Sequence, residues 1–246
     1  MNEQQRKQLD EQGYWIFKGL LSRMQVDAIL ARLEELWSVE GDHAGEENYI
    51  EPGVRRLANL ANKGEMFQRL YAHPRVLEVV EAVMGPDMRA AMVNARDVLP
   101  RTGVRMPFHM DSDKGRVRDE TGYSAATAIW MLDEFTVSNG ATAFVPGSHL
   151  LGKTPKEVLA DLNDSHPQEI VVTGQPGDVL VFNGHCWHAG RPNETEDHRR
   201  AVLIHYLRAD VPRPQNRRQH LEQSQAAGLA PRERVLLGLD DEPIVI

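Results

Sequence analysis

Residues 88–207 decide the fold, because short segments rich in β-forming residues alternate there with turn residues. The segments are MRAAMVNARDVL (88–99), VRMPFHMD (104–111), SAATAIWML (124–132), ATAFVP (141–146), EIVVT (169–173), DVLVFNG (178–184) and RRAVLIHYL (199–207). Branched and aromatic residues favour pleated strands, and the Gly, Pro, Asn and Asp between them favour turns. Seven or eight short strands in this order predict an antiparallel sandwich or barrel such as a jelly roll.

The first third of the chain is instead predicted to be helical. Ser22 is a candidate N-cap, and a stripe of apolar residues follows it at helical spacing: Val26, Ile29, Leu30, Leu33, Leu36 and Trp37. A second helix is expected to begin near Pro74 and to end before Gly85-Pro86. We therefore expect a single domain over residues 1–246, made of a mostly helical N-terminal cover (1–87), a β core (88–210) and a C-terminal extension (211–246).

Composition limits the classes of function. The 246 residues carry a formal net charge of -8, which argues against an extended nucleic-acid surface. The chain lacks an apolar run of the roughly 18 residues that a membrane span needs. The only cysteine, Cys186, cannot form an internal disulfide, which fits a reducing compartment. With no apolar signal segment in the N-terminal sequence, the expected location is the cytoplasm.

The sequence PFHMD (107–111) places a histidine and an aspartate two positions apart. Side chains at positions i and i+2 of a strand point to the same face, so His109 and Asp111 can reach one metal ion. Alone this H-x-D pair is a weak signal, because it also arises by chance.

A later histidine strengthens the metal hypothesis. His188 follows an apolar strand and the turn at Asn183-Gly184. Two imidazoles and one carboxylate on one face of an octahedral iron(II) ion leave three positions for other ligands. Arg199 lies eleven residues beyond His188, at the start of the next strand, and its planar guanidinium suits a carboxylate.

Taken in order, these motifs resemble the phytanoyl-CoA dioxygenase family of iron(II)/2-oxoglutarate oxygenases. The matching residues are the H-x-D at 109–111, Asn139-Gly140-Ala141-Thr142, Val145-Pro146-Gly147-Ser148-His149, Gly177-Asp178, His188-x-Gly-x-x-Asn193 and Arg199. The resemblance implies a cupin-like jelly roll, the double-stranded β-helix. It also implies a non-haem Fe(II)/2-oxoglutarate-dependent dioxygenase that uses O2, hydroxylates a small molecule and releases succinate and CO2.

The same resemblance implies roles for individual residues. His109, Asp111 and His188 would hold the iron, and Arg199 would hold the C5 carboxylate of 2-oxoglutarate. Trp130 and Asn94 are further candidate contacts to this co-substrate, with ordinary roles in the core as the alternative. Many members carry a serine two residues after the distal histidine, where this chain has Gly190. Halogenating relatives replace the carboxylate that Asp111 supplies here, so a hydroxylase is expected.

Three neighbouring residues compete for these roles. His185 lies three positions before His188, and odd spacing in an extended chain points it to the opposite side. Asp113 could replace Asp111, but it needs a further step along the strand. Arg200 points to the other face of its strand from Arg199 and is predicted to lie at the surface.

Two other classes of function stay open at this stage. One is a cupin-like isomerase or hydrolase without a co-substrate, and the other is a ligand-binding protein that kept the fold without catalysis. Arg199 and the element at 139–149 argue against the first, and the complete set of metal ligands with Arg199 argues against the second. The sequence predicts neither the primary substrate nor the oligomeric state. Substrate contacts are expected in 39–55, in 112–122 and after Leu207.

Overall fold

A computed structural model describes residues 1–47, 51–112, 117–211 and 228–239. The helices are α1 (Glu3–Gln12), α2 (Arg23–Glu40), α3 (Glu65–Tyr71), α4 (Pro74–Met84) and α5 (Pro231–Leu237). The strands are β1 (Tyr14–Phe17), β2 (Val54–Leu57), β3 (Met88–Val98), β4 (Ala125–Met131), β5 (Thr142–Phe144), β6 (Ile170–Val171), β7 (Val179–Asn183), β8 (His188–Gly190) and β9 (Arg199–Arg208).

Both predicted N-terminal helices are confirmed. Ser22 caps α2: its hydroxyl accepts a hydrogen bond from the Gln25 amide, and the Gln25 side chain accepts one from the Ser22 amide. The buried face of α2 consists of Val26, Ile29, Leu33, Leu36 and Trp37. Helix α4 begins at Pro74 and buries a face rich in valine. None of the helices in the described ranges is long and apolar enough to cross a membrane.

The strands form two antiparallel sheets. The larger has six strands in the order β1-β7-β4-β9-β3-β2, and the smaller has three in the order β6-β5-β8. The predicted mainly β architecture with helices is therefore confirmed. Two short strands of the N-terminal region, β1 and β2, form the two edges of the large sheet.

The two faces of the large sheet have different neighbours. Ala126, Ala128 and Trp130 of β4 belong to the main hydrophobic core, which also contains the buried residues of α2 and α4. Thr127 and Ile129 alternate with them and line a cavity between the large and the small sheet. The helices thus support one face of the sheet and leave the other face for the site.

The packing of α2 gives a stability prediction. Leu33 is fully buried in the main core, whereas Val39 of the same helix is 83% exposed. Leu33→Ala should lower the free energy of unfolding by about 2–5 kcal/mol, because it removes buried methyl groups and leaves a cavity. Val39→Ala should change it by less than about 0.5 kcal/mol. Urea denaturation of the two variants checks this; equal effects would contradict the packing described for α2.

Candidate metal centre

A short backbone pairing brings the two halves of the predicted metal motif together. The His109 amide donates to the His188 carbonyl over 3.0 Å, and the His188 amide donates to the His109 carbonyl over 3.1 Å. Their imidazole centroids lie 4.2 Å apart. The segment 104–111 is not the strand that we predicted, since its β pairing is confined to the bridge at His109.

Asp111 completes the cluster. Its amide donates to the Gly184 carbonyl over 2.8 Å, which ties Asp111 to the turn that precedes His188. One ligand atom from each of His109, Asp111 and His188 lies within 4.8 Å of the other two, a spacing suited to one metal ion. The structure therefore brings the three predicted ligands together.

Backbone carbonyls orient both imidazoles. The Nδ1 atom of His109 lies 3.0 Å from the Pro107 carbonyl oxygen, and the Nδ1 atom of His188 lies 3.0 Å from the Cys186 carbonyl oxygen. A carbonyl only accepts hydrogen bonds, so each Nδ1 carries the proton when the ring is neutral. Each Nε2 then presents its lone pair, as a metal ligand requires.

The Asp111 carboxylate is held by a neighbouring hydroxyl. Thr127 donates its only hydroxyl proton to Asp111 Oδ2 over 2.6 Å, and it accepts from His205 Nδ1 over 3.0 Å. The other carboxylate oxygen, Oδ1, lies 3.5 Å from His188 Nε2. Thr127 thus fixes the carboxylate and leaves Oδ1 on the side of the two histidines. We did not predict Thr127 or His205 from the sequence.

The three groups differ in their protonation. Burial, together with the neighbouring His188, lowers the pKa of His109 to about 4. Burial also acts to lower the pKa of His188, but the adjacent Asp111 carboxylate outweighs it, and the net pKa is raised. Burial opposes ionisation of Asp111, yet the three nearby histidines keep the pKa of its carboxyl below the ordinary value. At neutral pH Asp111 is charged and His109 is a neutral ligand.

Arg199 lies at the wall of the same cavity, which has a volume of about 290 Å³. It is 1% exposed, and its Nε and Nη2 atoms lack hydrogen-bond partners among the described residues. Burial and the nearby Arg96 lower the pKa of its guanidinium to about 9, so it stays charged at neutral pH. A buried charge without partners is costly, which indicates a site for an anion.

The competing residues are separated from the metal ligands. His185 has Nδ1 3.1 Å from Asn183 Oδ1 and Nε2 3.1 Å from Ser124 Oγ, so hydrogen bonds occupy both ring nitrogens. Arg200 pairs with Asp133 on the opposite side of β9 from Arg199, as predicted. Asp113 lies outside the described residues, as do 114–116 and 212–227, which belong to two of the predicted substrate segments.

The structure gives different results for Trp130 and Asn94, the two further candidate contacts to the co-substrate. Trp130 faces the main core under α4, with its ring centroid 5.4 Å from that of His73, and it does not line the cavity. Trp130 thus lies outside the lining of this cavity, and its contact with the co-substrate stays a prediction. Asn94 is buried in β3, and its cross-strand neighbour Leu203 lines the cavity. Its Nδ2 atom lacks a partner among the described residues, so Asn94 remains a candidate.

Comparisons with known proteins agree with this geometry. The family model for phytanoyl-CoA dioxygenase matches residues 9–201. Dioxygenase af480 of Aspergillus fumigatus is 26% identical over 219 residues, covering 86% of this chain and 68% of the relative. The Fe(II)/2-oxoglutarate-dependent dioxygenase nvfF of Aspergillus novofumigatus is 26% identical over 242 residues, covering 93% and 78%.

A solved structure gives the same result for the fold. HygX from Streptomyces hygroscopicus, with nickel and 2-oxoglutarate bound, superposes with a TM-score of 0.70 at 20% identity, covering 87% of this chain and 89% of that one. The family model covers all three candidate ligands and Arg199. The chain therefore belongs to the phytanoyl-CoA dioxygenase family.

Proposed function

We propose that this protein is a non-haem Fe(II)/2-oxoglutarate-dependent dioxygenase that hydroxylates a small molecule. The observation that carries the proposal is one cavity with a two-histidine, one-carboxylate cluster and a buried guanidinium whose Nε and Nη2 lack hydrogen-bond partners among the described residues. Membership of the family and the name of the relative nvfF support it. The isomerase, hydrolase and binding-protein alternatives give no comparable role to Arg199.

The residues present fit an iron(II) ion. His109 and His188 offer Nε2 atoms and Asp111 offers Oδ1, a donor set typical of non-haem iron oxygenases that leaves positions open for other ligands. When bound, the iron would activate O2 for the oxidation, coupled to conversion of 2-oxoglutarate to succinate and CO2. The carbonyls at Pro107 and Cys186 keep both imidazoles in the ligand orientation throughout.

Arg199 is proposed to bind the far carboxylate of 2-oxoglutarate. The guanidinium offers paired N–H donors that match a carboxylate, and a low-dielectric surrounding strengthens such a pair. Phe135 lies beside it, with the Arg199 Cζ atom 4.6 Å from the ring centroid, and restricts its position. Asn94, with its free Nδ2 on the same side of the sheet, is proposed as a further co-substrate contact.

We also propose that the two sheets form a double-stranded β-helix. A six-stranded and a three-stranded antiparallel sheet with the metal ligands between them support this arrangement, as does the similarity to HygX. Because the cavity between the sheets has a volume of only about 290 Å³, the primary substrate is proposed to be a small molecule.

The metal ligands give a direct prediction. His109→Ala and Asp111→Ala should each bind well below one Fe(II) per chain, because each removes one of three protein ligands. His185→Gln should keep one Fe(II) per chain, since His185 is bonded to Asn183 and Ser124 instead. Anaerobic equilibrium dialysis followed by metal analysis measures the stoichiometry. Full iron binding by either alanine variant would refute the assignment.

Protonation of the two histidines predicts how metal binding depends on pH. In the pH range above about 4, the pKa of His109, and below the raised pKa of His188, His109 is neutral and His188 is protonated. Only His188 must then lose a proton to bind the ion. Affinity for Ni(II) should therefore fall about tenfold for each unit of pH lowered within this window. Titration calorimetry at several pH values, in buffers of known protonation enthalpy, should find about one proton released per ion; a value near two would show that both histidines are protonated before binding.

The role of Arg199 can be tested with a neighbouring control. Arg199→Gln should weaken 2-oxoglutarate binding to the Ni(II)-loaded protein by roughly tenfold to a hundredfold, the loss expected for charge-assisted hydrogen bonds. Arg200→Gln should leave it unchanged, because Arg200 pairs with Asp133 on the other face of β9. Unchanged affinity in Arg199→Gln, measured by calorimetry, would refute the assignment.

A further inference from the structure

A second guanidinium lines the cavity and has no role in the function proposed above. Arg96 lies on β3 and pairs with Ala201 of β9, which is two residues along that strand from Arg199. Its side chain is only 11% exposed. It is close enough to the metal ligands to act electrostatically on His109 and His188. Arg96 therefore lines the same cavity as the candidate metal ligands and Arg199.

One carboxylate oxygen of Glu51 holds Arg96, and the Met106 Sδ atom accepts a longer contact from Arg96 Nη2 over 3.9 Å. The Glu51 Oε2 atom accepts from Arg96 Nε over 3.0 Å and from Nη2 over 2.5 Å. The second oxygen of Glu51 is taken by Arg56, the cross-strand neighbour of Arg96. One carboxylate thus compensates two guanidiniums, and Arg96 has further N–H donors beyond the two that Glu51 accepts.

Gly190 provides the space that Arg96 occupies. A Cβ atom added at Gly190 would lie 3.2 Å from Arg96 Nη2 and 3.1 Å from the Met106 Cβ. Because Glu51 pins the guanidinium, Arg96 cannot easily withdraw from such a side chain. A side chain at position 190 would therefore crowd Arg96 in the position where Glu51 holds it.

Charge balance in the cavity indicates what Arg96 binds. The charged residues that line it in the described ranges are Glu51, Arg56, Arg96, Asp111 and Arg199. Three guanidiniums against two carboxylates leave one net positive charge, and a divalent ion raises this to three. The co-substrate 2-oxoglutarate carries two negative charges, so among the described lining residues one positive charge is left without a counter-ion.

We propose that Arg96 is a second carboxylate-binding residue of this cavity, and that the primary substrate supplies the carboxylate. Glu51 fixes the guanidinium, Gly190 leaves it room, and Arg96 lines the cavity proposed to hold the co-substrate, with N–H donors that Glu51 does not accept. The enzyme therefore selects an anionic small molecule. This inference rests on the proposed function, because it takes the metal and 2-oxoglutarate as the other occupants.

The test uses the Ni(II)-loaded protein and measures binding by calorimetry. Two comparisons separate the two sources of a carboxylate. The first comparison is between the affinity for 2-oxoglutarate and the affinity for 2-oxopentanoate, which lacks the far carboxylate, and it reports on the co-substrate. The second comparison is between the affinities for hexanoate and hexanamide, and it reports on the site of the primary substrate. Each compound is added to the complex with nickel and 2-oxoglutarate.

Wild-type protein should bind hexanoate more tightly than hexanamide. Arg96→Gln should remove this preference, a loss of roughly tenfold or more, while it keeps the preference for 2-oxoglutarate over 2-oxopentanoate. Gly190→Ala, whose Cβ would crowd Arg96 Nη2 at 3.2 Å without removing its charge, should weaken hexanoate binding in the same direction. Arg191→Gln is the matched control, because Arg191 pairs with Glu169 and does not line the cavity.

The possible failures are distinct. If Arg96→Gln abolishes the preference for 2-oxoglutarate over 2-oxopentanoate, the carboxylate belongs to the co-substrate and the assignment to the primary substrate is overturned. If neither preference changes in Arg96→Gln, or wild-type protein shows no preference for hexanoate, the proposal is overturned. Wild-type protein that binds no nickel or no 2-oxoglutarate would refute the proposed function itself. Thermal unfolding of each variant excludes misfolding as the cause.

Discussion

The site depends on one backbone pairing, the two hydrogen bonds between His109 and His188. The chain between these residues crosses both sheets, so nothing local holds the two histidines together. Their pairing sets the distance between the imidazoles, and the bond from the Asp111 amide to Gly184 adds the carboxylate. Because backbone groups make these contacts, the positions of the ligands are fixed before a metal arrives, and the side chains need only the correct orientation.

The clustering of His109, Asp111 and His188 in one cavity with Arg199 could be predicted because their spacing in the sequence carries information that needs no tertiary structure. His109 and Asp111 are two residues apart, and His188 and Arg199 flank the connection between two strands. The face of Trp130 could not be predicted in this way. Both faces of β4 are buried, so its sequence lacks the alternation of apolar and polar residues that would tell the cavity side from the core side.

The remaining cavity residues come from places that sequence patterns do not connect. Glu51 lies in a segment between helix and strand, and it reaches the cavity only because β2 pairs with β3. Arg96 alternates with Met92 and Asn94 along β3, a pattern visible in the sequence, but only the fold shows which face of β3 meets the metal ligands. Thr127 and His205 could not be predicted for a similar reason. They are cross-strand partners, and the hydrogen bond between them depends on the register of β4 and β9.

The most direct test is a crystal structure of the protein prepared without oxygen, with Fe(II) and 2-oxoglutarate bound. It should show one ion bound to Nε2 of His109, Nε2 of His188 and one oxygen of Asp111, with the far carboxylate of 2-oxoglutarate paired to Arg199. An ion held by other residues, or an Arg199 guanidinium still without a partner while 2-oxoglutarate lies elsewhere, would contradict the central claim.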